Sequence, residues 1–229
     1  MPRTPAGTSW RTIALLGTAI GMVAAVQLLP DRRFVTEATE HLVLGMLVPL
    51  VVVVARPAEL LGAAFGPRRL HRWSRTPWAR VGTTPLLVAI AFVLTPWLLW
   101  LTPLRELVER SGPAHLVVHL HLFVVGVLFV EHLAGRAPLP ARFTPPMRLL
   151  VGAVILVAHG FLGLVLSTLD RPLFDTGLSP GAALADQRSG AQVMWVGGEL
   201  LMVALLAATM WDWMRREERS TPGRSSQIY

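Results

Sequence analysis

The 229-residue chain has no cysteine and no lysine, and only 15% of its residues are charged. The first absence excludes disulfides, thiolate metal sites and thiol redox motifs, so any metal ligand here must be histidine, methionine or carboxylate. The second leaves arginine as the entire basic complement, 21 residues against 14 acidic ones. Low charge separates the chain from soluble domains, in which about a quarter of residues are charged. Gly-rich phosphate loops are missing, and no nucleophile has a recognisable base, so neither ATP-driven transport nor an enzyme is expected. No internal repeat stands out.

What is present is apolar: hydrophobic residues make up 53% of the chain and the mean hydropathy is +0.53. Six runs approach the roughly 20 residues needed to cross a bilayer core. They extend from Ile13 to Leu29, Glu37 to Ala55, Val81 to Leu104, Pro113 to Leu133, Met147 to Leu169 and Ala191 to Met210. The expected fold is therefore all-α: a polytopic membrane helix bundle of about six transmembrane helices, forming a single domain over 1–229. The polar segment 216–229 is expected to be a disordered cytoplasmic tail. Arg3 and Arg11 before the first run resemble a signal peptide, but no small-x-small cleavage site precedes Asp31, so this run is read as a retained helix.

A net charge of +7 suggests nucleic acid only if the positions of the arginines are ignored. They lie between the apolar runs and alternate in number from one connector to the next. Placing both termini and the arginine-rich connectors in the cytoplasm puts fifteen arginines inside and six outside, as the positive-inside rule requires. No nucleic-acid partner is expected. The segment from Arg56 to Arg80, with Trp73 and Trp78, suits an anionic lipid surface.

With this orientation, polar groups from several runs collect toward the outer leaflet. His115 and His119 are one helical turn apart at the outer start of the fourth run, a spacing that lets two imidazoles bind one ion. Glu37 and His41 share a helical face at the start of the second. His159 lies deep in the fifth, about 15 Å by helical rise from Leu169, and Asp186 with Gln187 leads into the sixth. Ionisable groups at such depths mark function more often than chance placement. The candidate metal ligands are His41, His115, His119, His159, Asp186 and Glu37. His121 projects to another side of its helix, and His71 and His132 belong to the inner end. Glu199, Met46 and Met194 remain open as additional ligands. Two other readings stand beside the metal site: a haem-b electron carrier ligated by His119 and His159, and a structural protein whose polar groups only join helices.

The order of these motifs resembles a known family. The segments Glu37-Ala-Thr-Glu-His41-Leu-Val-Leu-Gly-Met46 with Pro49 and Arg56-Pro57, His115-Leu-Val-Val-His119-Leu-His-Leu-Phe123 with Gly126 and Phe129, Ala158-His159-Gly-Phe-Leu-Gly163, and Asp186-Gln187-Arg-Ser-Gly190 with Trp195 are similar to those of the multi-span CtaG-type cytochrome c oxidase assembly factors. The resemblance runs from about Glu37 to Gly198. It implies a multi-pass protein of the bacterial plasma membrane that supports maturation of a haem-copper oxidase, with copper as the metal handled and oxidase subunits and membrane lipid as partners. In this resemblance Glu37 stands where a first histidine is expected. Asp186 is expected to orient a histidine, and Gln187 and Trp195 to shape the outer end of the site.

Overall fold

A computed structural model describes residues 6–29, 33–56, 72, 76–135 and 142–220. These are helical with short connections, and no strand occurs among them. Most of the segment Arg56 to Arg80 and residues 221–229 lie outside the described residues.

The first run forms α1 (Ala6–Val26). The second is one helical stretch from Phe34 to Ala55, divided into α2 (Phe34–Leu42), a π-helical turn (Val43–Leu47) and α3 (Val48–Ala55). Pro49 explains the turn. It has no N–H to give the carbonyl four residues back, and its ring would press on that carbonyl, that of Gly45. The widened turn absorbs the conflict, and such π-bulges gather at functional sites. The Gly45 oxygen is turned toward Gly126 on the fourth span, where a Cβ would collide with it and would lie 2.7 Å from Pro49 Cγ. The two backbones thus cross where neither has a side chain in the way, the usual device for close helix approach in membranes.

The third run is broken. Helix α4 (Pro77–Gly82) stops, Thr84 is extended at ψ 124°, and α5 (Pro85–Leu101) begins on Pro85. The residue before a proline is driven out of the helical region, so the break follows from sequence. The buried His132 ring accommodates it: Nε2 donates to the Thr83 carbonyl at 3.0 Å. After α6 (Leu104–Glu109) come α7 (Gly112–Ala134), capped by Ser111 with Pro113 in its first turn, and α8 (Pro145–Thr168).

The last helix, α9 (Pro180–Ser220), has 41 residues, about 60 Å at 1.5 Å per residue. It begins well before Ala191 and continues past residue 216. Residues 216–220, expected in a disordered tail, are therefore helical, with Arg216 paired to Asp212 at 2.6 Å.

Four helical stretches are long and apolar enough to cross a membrane: Phe34–Ala55, Gly112–Ala134, Pro145–Thr168 and Pro180–Arg219; Trp10–Val26 and Pro85–Leu101 are shorter apolar helices. The outside of the bundle is apolar, with Leu86, Leu116, Val157 and Leu200 all at least 60% exposed. A water-facing surface would not carry such a continuous apolar coat. Helix α9 packs against α8 and α2, and α7 packs against α3, α5 and the π-helical turn. The interior holds two apolar clusters. One joins Phe34, Ala38, Trp100, Leu162, Leu166, Ala191 and Met194; the other joins Met46, Val88, Ala89, Phe129, Leu133, Ile155 and Met202. His41 and His159 fall between the two clusters along their own helices.

Candidate metal centre

A cavity of about 750 Å³ opens at the end of the bundle where α2 and α7 begin and α1 and α5 end. Its wall is polar where the spans meet: Glu37, Glu40 and His41 from α2, Arg105 and Glu106 from α6, His115 and His119 from α7. Gln27, just beyond α1, also lines it. We call this cavity the vestibule.

His115 and His119 lie one turn apart, with ring centroids 4.1 Å apart and planes tilted by 55°. Glu40 on α2 faces them, its Oε2 3.7 Å from His119 Nε2. One ligand atom from each of Glu40, His115 and His119 lies within 4.8 Å of the others. Bonds from imidazole or carboxylate to a metal run near 2 Å, so small rotamer shifts bring all three onto one ion. This is the one such cluster among the described residues. Glu40 was not among the sequence candidates, although it sits one residue before His41 and one turn from Glu37. Only the placement of α7 distinguishes it from its neighbour.

Glu37 departs from expectation. Its carboxylate is held by Arg105, with Nε donating at 2.7 Å and a terminal nitrogen to the other oxygen. Arg105 in turn lies over the Phe174 ring, 3.0 Å from its centroid. A carboxylate engaged by both prongs of a guanidinium is occupied, and the structure gives it to the vestibule wall.

Asp186 also has a different role. Its Oδ2 accepts the Phe34 backbone N–H at 2.7 Å, capping α2 from α9. No side chain of α2 itself caps that end, so the last helix supplies the acceptor that local sequence lacks. Gln187 is fully buried. It donates to the Leu166 carbonyl at 3.1 Å and accepts from Leu173 N–H at 2.8 Å, fastening the end of α8 and the loop after it. Trp195 donates its indole N–H to Glu199 at 2.6 Å.

His159 is buried, and its Nε2 donates to the Met194 carbonyl at 3.1 Å. Gly198 makes room for the ring, since a Cβ there would strike Nε2. His41 lies 6.3 Å away by ring centroid, nearly parallel at 12°. It lines both the vestibule and a narrow gap of about 10 Å³ that it shares with His159, Met46 and Phe92. The structure thus divides the predicted histidines between an open trio with Glu40 and a deeper pair. His121 bonds Thr95 Oγ1 at 2.9 Å, away from the trio, and His132 sits at the far end of α7. His71 lies outside the described residues.

Uncharacterized proteins of Mycobacterium bovis and Mycobacterium tuberculosis are each 26% identical over 93% of this chain, and one of Mycobacterium leprae is 25% identical over the same share. The chain spans 36% of the length of each of these relatives. No solved structure matches it. The match that covers nearly all described helices is to a family profile extending over residues 3–216, from before α1 to near the end of α9. The histidine-bearing bundle is that of the cytochrome c oxidase caa3 assembly factors, the Caa3_CtaG family, to which this chain belongs.

Proposed function

We propose that the protein is a non-catalytic, multi-pass factor of the bacterial plasma membrane that binds copper in the vestibule and presents it to subunits of a haem-copper oxidase. The observation that carries this is the convergence of Glu40, His115 and His119 to within 4.8 Å in a cavity open at one end of the bundle. The arginine bias assigns that end to the outside, where an oxidase metal site can be loaded from the periplasmic face. His41 lines the same cavity outside that cluster. The donors suit the cargo. Imidazole binds copper in both oxidation states, and a carboxylate favours the divalent ion. An open site on a helical scaffold releases its ion by ligand exchange, which a closed four-ligand site resists.

The test is metal analysis of detergent-purified protein from cells grown with copper, beside the His115→Ala/His119→Ala variant. Copper near one equivalent or above, reduced in the variant together with oxidase maturation, supports the reading. Full oxidase maturation in cells carrying the double variant overturns it.

A further inference from the structure

We infer that His41, His159 and Met46 form a second metal station, buried beneath the vestibule and suited to monovalent copper. It rests on the proposed function only in taking copper as the cargo.

Hydrogen bonding isolates the two rings. A carbonyl oxygen only accepts, so the bond to Met194 fixes the proton of neutral His159 on Nε2 and leaves Nδ1 with a bare lone pair. That nitrogen has no hydrogen-bond partner among the described residues. His41, 7% exposed, makes no hydrogen bond among them either, and its Nδ1 is buried. Leaving a buried polar atom unpaired costs about 1–3 kcal/mol. The buried Nδ1 of His41 carries that cost and, with the unpartnered Nδ1 of His159 on a helix that also packs against α9, points to a missing partner.

The space between them has the size of one atom. The gap of about 10 Å³ is at the lower limit for a single water. Ring centroids 6.3 Å apart accommodate one ion bonded to an edge nitrogen of each ring at about 2 Å. Met46, buried at 7% exposure, lines the same gap and belongs to the π-helical turn directly after α2. The widened turn sets its side chain on a different azimuth from that of a regular helix.

Ligand chemistry selects the ion. Two neutral imidazoles and a thioether, with no carboxylate lining the gap, favour soft monovalent copper over divalent ions. A buried cation also needs a nearby negative charge. The Glu199 carboxylate supplies it, lying against Gly160, the residue after His159, where a Cβ would meet Oε1. His41 and Leu122 line both cavities, and of the two only His41 can ligate a metal, so it joins the open trio to the buried pair.

The test uses the full chain in detergent carrying His115→Ala and His119→Ala. Both side chains line the open vestibule, so their loss spares the core. The protein is titrated anaerobically with Cu(I) alone in competition with a chromogenic Cu(I) chelator. The expected result is one Cu(I) retained per chain, against two in the unaltered protein, with X-ray absorption showing low coordination by nitrogen and one sulfur. Met46→Leu should remove the sulfur signal, and adding His159→Gln should weaken retention at least tenfold. A folded double variant that retains no Cu(I), or retention unchanged by His159→Gln, overturns the station; a sulfur-free spectrum before Met46 is altered removes the thioether from it. A gap holding only water gives the first of these results. Oxidase maturation that survives loss of His115 and His119, while the buried Cu(I) persists, defeats the vestibule reading and leaves this one standing.

Discussion

Arg105 grips Glu37 from α6 while Glu40, one turn farther along α2, faces His119 at 3.7 Å. Two carboxylates three residues apart thus have opposite assignments, one to the wall and one to the cluster with His115 and His119. Glu40→Gln is expected to reduce divalent metal retention by tenfold or more while leaving thermal stability within about 1 kcal/mol. Glu37→Gln should do the reverse. Arg105 is 8% exposed and Glu37 23%, and breaking a largely buried pair costs on the order of 3 kcal/mol. Parallel metal titration and thermal unfolding in detergent separate the two. Equal metal loss in both variants would contradict the assignment.

Asp186 caps α2 across the bundle, so its removal should loosen the helix that carries Glu40 and His41. Asp186→Ala is expected to lose about 1–2 kcal/mol, as loss of an N-cap does. Asp186→Asn keeps an acceptor and should recover most of it. Thermal unfolding of both variants checks this. If Asp186 instead oriented a histidine ligand, both would lose metal with stability unchanged.

The crossing at Gly126 tolerates no side chain. Gly126→Ala places its methyl against the Gly45 carbonyl oxygen and the Pro49 ring, neither of which is the flexible end of a side chain. Overpacking of this kind costs about 1–3 kcal/mol. Gly82→Ala, where nothing lies within 4 Å, is the matched control. Comparing folded yield and unfolding temperature should show a loss only at Gly126.

Gln187 holds two backbone groups in a buried position. Gln187→Leu preserves volume but strands the Leu173 N–H and the Leu166 carbonyl, at roughly 1–3 kcal/mol for each group left unpaired. Hydrogen exchange should accelerate first in the loop after α8. Unchanged protection there would show that the loop is held by other means.

The positive-inside assignment predicts reporter activity. A fluorescent protein at the C-terminus should be bright in the cytoplasm. Alkaline phosphatase inserted after Arg110 should be active outside. Activity in the opposite pattern would move the vestibule to the cytoplasmic face and remove its link to periplasmic loading.

Much of the architecture was legible because the bilayer imposes length and hydropathy on every span. The runs from Glu37 to Ala55, Pro113 to Leu133 and Met147 to Leu169 match helices to within a few residues. Pro85 and Pro49 also mark the break before α5 and the widened turn before α3, both local steric effects. The length of α9 was not legible, because hydropathy detects the apolar middle of a helix and misses its polar turns. Asp186 and Gln187 lie in such a turn, and their roles depend on partners far away in sequence.

The sequence by itself determined an all-helical membrane bundle, the oxidase-assembly family and the pairing of His115 with His119, since spacing along one helix decides which side chains share a face. Only the tertiary structure decided which carboxylate joins that pair. Glu37 and Glu40 are near-equivalent as sequence, and the packing of α6 and α7 against α2 sends one to Arg105 and the other to His119. The packing of α9 against both α2 and α8 brought His41 near His159, 6.3 Å apart by ring centroid and distant in the chain. Such relations between helices depend on how their faces dock, and no single span carries that information.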